Sequence, residues 1–174
     1  MNASEFTGSK AFELEGTTYD LSHLCFKTYD WEIELKNKVR KVIKVDVVFS
    51  CHCFSRSPKE GEVYSPSQVV RDHKKERLFD LTRYELSLEL PAIISSLPEH
   101  KVFHTGFHNL VRIAVASQFG TLTDYYVFLA LSREGKRMRM VVESAYTADL
   151  LQDKKKYDKP IRFLVALRNC YESR

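Results

Sequence analysis

Between residues 29 and 49 the chain alternates, residue by residue, between apolar and polar side chains. Tyr29, Trp31, Ile33 and Leu35 are interleaved with Asp30, Glu32, Glu34 and Lys36. After a basic turn at Asn37–Lys41, Ile43, Val45, Val47 and Phe49 are set against Lys44 and Asp46. A period of two is the period of a β-strand, whose successive side chains point to opposite faces. Both runs therefore predict half-buried antiparallel strands, apolar on one face and solvated on the other. Phe12 and Leu14 before Gly16, with Tyr19 and Leu21 after it, add a short hairpin. Residues 10–50 thus predict a small antiparallel β unit.

The polar stretch 54–77, with Pro58, Gly61 and Pro66, reads as a long loop and as the place for a boundary. The expected organisation is an N-terminal β unit (1–53), a linker (54–77) and a helix-plus-sheet region (78–174), or one compact domain overall. Thr82-Arg-Tyr-Glu85 has the capping-box pattern that opens a helix. Leu86, Leu90, Ile93, Ile94 and Leu97 follow at helical spacing. Pro91 inside this pattern predicts a kink, or two abutting helices with Pro91 in the first turn of the second. Strand-like runs follow at Leu110–Ser117, Leu122–Ser132, Arg137–Tyr146 and Ile161–Cys170. The expected fold class is α+β, with the helix packed on a four-stranded, mostly antiparallel sheet.

At 44% hydrophobic and 29% charged residues, the 174-residue chain is too apolar to be disordered. Four cysteines (Cys25, Cys51, Cys53, Cys170) in this length do not resemble a secreted disulfide framework. No apolar run approaches the ~20 residues that cross a bilayer. The acidic N-terminal stretch lacks the apolar centre of a signal peptide, so a cytoplasmic protein is expected. Charge is unevenly placed: residues 1–35 hold seven acids against two lysines, a net of −5, so the rest carries +9 of the +4 total. The excess collects in Lys36–Lys44, Arg133–Arg139 and Lys154–Lys159. Such polarity is compatible with a nucleic-acid partner, although charge runs are ordinarily solvated turns.

Period-two reasoning also sorts the later strands. Met138, Met140 and Val142 share one face, and Arg137, Arg139 and Glu143 the other. Arg162 and Arg168 stand opposite Ile161, Phe163, Val165 and Leu167, and Arg112 stands opposite Val111, Ile113 and Val115. If the helix covers the apolar face, Arg112, Arg139, Arg162 and Arg168 gather around Glu143 on the open one. Cleaving an RNA phosphodiester needs a base for the 2′-OH, cations for the phosphate charge and an acid for the leaving oxygen. Glu143 suits the first role, the arginines the second, and one of His100, His104 or His108 the third. Plain cross-strand salt bridging, worth ~0.2–1 kcal/mol per pair, accounts for the same pattern without any ligand.

His100, His104 and His108 would form a ligand ladder only on a helix, and Thr105-Gly106 with the β-like residues beyond argues against one. Cys51-His52-Cys53 lacks the usual Cys-x₂₋₄-Cys zinc spacing and reads as a pair of buried thiols. Adjacent residues on a strand point apart, which disfavours a Cys–His nucleophile there. Neither metal nor cofactor is expected.

A capping helix ended by Pro98, then four antiparallel strands with Val141-Val142-Glu143-Ser144-Ala145-Tyr146 closing the third, resembles the barnase–EndoU–colicin–RelE (BECR) class of small metal-independent ribonucleases. The resemblance spans about residues 80–170. It implies an active site on the exposed sheet face, with Glu143, Ser144 and Tyr146 on the motif strand and Arg139 and Arg168 at basic positions. Strict alternation puts Ser144 and Tyr146 on the apolar side, so the match calls for a bulge or a strand end there. The phrases Tyr19-Asp-Leu-Ser-His-Leu24, His52-Cys-Phe-Ser-Arg56, Arg83-Tyr-Glu-Leu-Ser87 and Lys159-Pro-Ile-Arg-Phe163 are similar to uncharacterised bacterial and phage proteins.

The functional expectation is therefore a metal-independent RNA-cleaving or RNA-binding protein of bacterial or phage, toxin-like type. Glu143, His104, Arg139 and Tyr146 are its candidate catalytic residues, and Arg112, Arg162 and Arg168 its phosphate-binding ones. A protein inhibitor would be a natural partner, and no membrane is implied. The rival is a non-enzymatic regulator that binds nucleic acid or protein through the same basic face.

Overall fold

The computed structural model describes residues 10–72, 75–104, 109–116, 122–147 and 159–173, with backbone alone at 72, 104, 109–116 and 122–123. Strands β1 (Ala11–Leu14) and β2 (Thr17–Asp20) form the expected hairpin. It turns at Glu15 and Gly16, whose positive φ values of 51° and 81° suit a tight two-residue turn. β3 (Lys27–Glu34) and β4 (Arg40–Phe49) pair antiparallel as the alternation predicts. Trp31, Ile33, Ile43, Val45, Val47 and Phe49 are buried, while Asp30, Glu32, Glu34 and Lys44 are exposed.

The 54–77 segment is not the plain loop expected. It carries β5 (Ser55–Arg56), β6 (Val69–Asp72) and the start of β7 (Lys75–Phe79), which make a three-stranded sheet in the order β5-β7-β6. Its polarity hid this, because β5 and β6 are edge strands and the interior cation Arg77 is satisfied by Ser55 Oγ and the Ser55 carbonyl, both at 2.9 Å.

Helix α1 (Leu81–Ser87) is capped by Asp80, which accepts the Arg83 N–H at 2.9 Å, not by Thr82. α2 (Leu90–Ser96) abuts it with Pro91 in its first turn, where the missing N–H is an orphan anyway. β8 (Lys101–His104) follows, so the histidine ladder does not lie on a helix. His108 lies outside the described residues. β9 (Asn109–Ala116), β10 (Leu122–Glu134) and β11 (Arg137–Thr147) match the expected runs.

The run expected as a fourth strand, Ile161–Cys170, is instead a two-residue strand β12 (Ile161–Arg162) followed by helix α3 (Phe163–Glu172). Phe163, Ala166, Leu167 and Tyr171 recur at helical spacing and are all buried. Over so short a run the apolar residues satisfy both periods, and packing decides for the helix. Its Phe163 ring meets Trp31 edge-on at 5.1 Å.

The class is α+β. One seven-stranded sheet runs in the order β12-β8-β9-β10-β11-β4-β3, antiparallel except where β4 lies parallel to β11. Through that contact (Val45 beside Met138, Phe49 beside Val142) the first and second halves of the chain share one sheet. The core lies on one face, where Met138, Met140, Val142, Tyr125, Val127 and Leu129 meet the β3–β4 set beneath α3.

Candidate nucleic-acid interface

β11 changes face once. In its pairing with β10, Leu129 faces Val142 and Phe128 faces Ser144, so Glu143 is an extra residue, a β-bulge. Before it Met138, Met140 and Val142 are buried; after it Ala145 is. Ser144 and Tyr146 consequently lie on the outer face.

The bulge is gripped from below by the chain that follows β4. Ser50 donates its N–H to the Val142 carbonyl and its hydroxyl to the Glu143 carbonyl, both at 2.9 Å. Cys53 Sγ donates to the Val142 carbonyl at 3.6 Å. Cys51-His52-Cys53 is a single 3₁₀ turn capped by Ser50, with both thiols buried. Burial pushes the Cys53 thiol up to about 12, so it remains protonated. Among the described residues no three His, Cys, Asp or Glu side chains are grouped so as to hold a metal.

On the outer face, Tyr146 stacks on Phe128 with ring centroids 5.2 Å apart, and the Arg83 guanidinium of α1 lies 5.4 Å from the Tyr146 ring. Arg83 is fixed there by the His52 and Ser55 carbonyls, at 3.1 and 3.0 Å from Nη1. The pairing register sets Arg112 opposite Tyr126, and Tyr126 opposite Tyr146. His104 pairs with Asn109, and Asn109 with Leu129, in the register row of the bulge. Glu143, Tyr146, Arg112 and His104 therefore fall within about 10 Å along the strands. His104 stands three strands from β11, roughly 14 Å away.

The remaining arginines do not join them. Arg139 pairs with Ser132, about 20 Å along β11 from Tyr146, and its guanidinium lies 3.6 Å from Glu134. Arg162 is the exposed N-cap of α3 on the far edge of the sheet. Arg168 is on α3, where its guanidinium meets Asn169 at 3.4 Å. The expected four-arginine clamp thus fails because Arg139 lies far along β11, Arg162 is in the short edge strand β12 and Arg168 is on helix α3.

Beyond the bulge the outer face is a ladder of ion pairs. Arg137 chelates Asp46, with Nε at 2.6 Å, and holds that carboxyl below its ordinary range. Lys44 meets Asp30 at 3.3 Å, Arg40 meets Glu32 at 3.4 Å, and Lys38 meets Glu34 at 3.1 Å. These exposed pairs contribute ~0–1 kcal/mol each and explain much of the basic patterning without a ligand.

Sequence reasoning missed Arg83, Phe128 and Ser50. Arg83 was within sight, since three of the phrases similar to uncharacterised proteins converge on α1. His23 Nε2 lies 2.8 Å from Ser87 Oγ, Tyr19 packs against Tyr84, and Arg83 ties down His52 and Ser55.

Fold and site define an α+β protein in which α3 packs on the core face of a mixed sheet and Arg83 of α1 reaches a bulged aromatic strip on the other. The chain belongs to the YjaZ family, whose sequence profile matches residues 11–171. It is 30% identical over 131 residues to Protein YjaZ of Escherichia coli (strain K12), covering 74% of this chain and 70% of that protein. No solved structure matches it. Among the described residues no helix is long and apolar enough to cross a membrane.

Proposed function

We propose that the chain is a cytoplasmic, toxin-like RNA-directed protein that takes single-stranded RNA across the outer face of β9–β11 and has a metal-independent cleavage site at Glu143 and Tyr146. The observation that carries this reading is the bulge at Glu143, which returns Ser144 and Tyr146 to the outer face. Bulges beside active sites re-aim side chains in this manner. The stacked Phe128–Tyr146 pair supplies an aromatic surface on which a base stacks, and Arg112 occupies the neighbouring register position. Glu143 is the base for the ribose 2′-OH, and Tyr146 protonates the leaving oxygen; His104, three strands away, is out of reach of that atom. Four cysteines outside any disulfide are in keeping with a reducing compartment.

The test is incubation of the purified chain with mixed RNA in excess EDTA, beside Glu143→Gln and Phe128→Ala. Cleavage that disappears in Glu143→Gln supports the reading. Phe128→Ala should weaken binding of single-stranded RNA by ~1–3 kcal/mol, roughly five- to 150-fold. Salt-sensitive binding without cleavage by the wild type would leave a binding protein on the same face. Neither cleavage nor salt-sensitive binding would end the proposal.

A further inference from the structure

The seven-stranded sheet ends on β3, which among the described residues pairs on one side only. The direction of its open groups follows from the turn beyond it. Leu35 donates its N–H to the Val39 carbonyl at 2.9 Å, so odd-numbered residues of this strand face β4. Even-numbered residues face away, and Lys36 shows it: its N–H is taken by Glu172 Oε1 of α3 at 3.0 Å. Thr28, Asp30, Glu32 and Glu34 therefore turn their N–H and C=O groups outward along an eight-residue edge.

Proteins blunt such edges with shortness, bulges, proline or lysine. β3 keeps an unbroken register with β4 from Lys27 to Glu34, with no bulge, proline or lysine in its middle; its edge charges are acids, paired with Lys44, Arg40 and Lys38 on the β4 side. Among its charged residues the hairpin also exposes three apolar side chains. Phe26 is 63% exposed, Val39 52% and Val42 58%, all on this hairpin. On the side under α3, Tyr29 stacks on Trp31 at 5.3 Å.

We propose that this edge is a docking site for an extended segment of a partner protein, added as an eighth strand by β-augmentation, in which lysine or arginine alternates with apolar residues. Its basic side chains would lie beside Asp30, Glu32 and Glu34, leaving the acids between two basic rows, and its apolar ones beside Tyr29 and Trp31. A second copy of this chain fits poorly, because pairing β3 with β3 sets the acids of one against the acids of the other.

The test uses the full chain and a short fluorescent peptide alternating lysine with valine, followed by anisotropy at low salt. Saturable binding is expected, weaker at high salt, and reduced about tenfold or more when alternate peptide nitrogens are methylated, since each methyl removes a ladder bond. Glu32→Pro removes one outward N–H on an edge strand, where proline is tolerated, and should cause a similar loss. Absence of binding by the unmodified peptide overturns the proposal, and so does equal binding of the methylated one. A dimer of the chain alone that Glu32→Pro dissociates would give the edge to a second copy and equally overturn it. None of these outcomes depends on RNA.

Discussion

The Ser50 hydroxyl is the side-chain contact to the extra residue of the β11 bulge, so Ser50→Ala is the sharpest perturbation of the site. Ser50 is 0% exposed; its hydroxyl donates to the Glu143 carbonyl at 2.9 Å and accepts the His52 N–H at 3.0 Å. Removing it takes the cap from the 51–53 turn, which costs about 1 kcal/mol. It also removes the part-buried hydrogen bond to the Glu143 carbonyl, for another ~1–2 kcal/mol. The expected loss is about 2–3 kcal/mol, or roughly 5–10 °C in Tm for a chain of this length. Urea unfolding followed by circular dichroism reads it, with an unchanged m-value showing that the native and unfolded states are otherwise alike. A loss below about 0.5 kcal/mol, the range of ordinary surface substitutions, would refute the claim that Ser50 secures the bulge.

Four further outcomes follow from polar and thiol side chains. Burial lowers the His23 pKa from its ordinary 6.5, so the unfolded chain takes up its proton first; stability present above that value falls as pH drops toward the folded-state value, and His23→Gln should flatten this part of a pH–stability curve. Glu62, chelated by Arg56, is held down at about 2; its contribution persists from neutral pH to below 4.5 and disappears as pH falls through 2, which Glu62→Gln would abolish. Tyr125 is wholly buried and its hydroxyl has no hydrogen-bond partner among the described residues, so Tyr125→Phe should leave stability unchanged or raised by up to ~1 kcal/mol; a clear loss would reveal a partner. With a thiol-modifying dye at pH 7.5, exposed Cys25 should react fast, half-buried Cys170 slowly, and Cys51 and Cys53 only on unfolding.

Much of the fold was legible because its signals are local. The alternation at Tyr29–Leu35 and Ile43–Phe49, the turn at Gly16 and the junction at Pro91 each depend on a few neighbouring residues, and each appears where it was read. The candidate site was legible in part. Glu143 and Tyr146 were identified from a motif, but only the pairing with Phe128 and Leu129 shows that a bulge lies between them and puts Tyr146 on the outer face. Arg168 was misplaced because Ile161–Leu167 satisfies both periods, whereas the stripe Phe163, Ala166, Leu167, Tyr171 belongs to a helix.

The amino-acid sequence by itself determined the α+β class, the apolar and charged sides of β3, β4 and β11, and the cations available to the outer face. Tertiary structure alone decided that β4 lies parallel beside β11, that Arg83 covers Tyr146, and that β3 is left as an open edge. The physical reason is range: a strand's alternation records which face meets apolar neighbours, whatever those neighbours are. Which strand or helix supplies them depends on contacts between residues some ninety positions apart, such as Val45 with Met138.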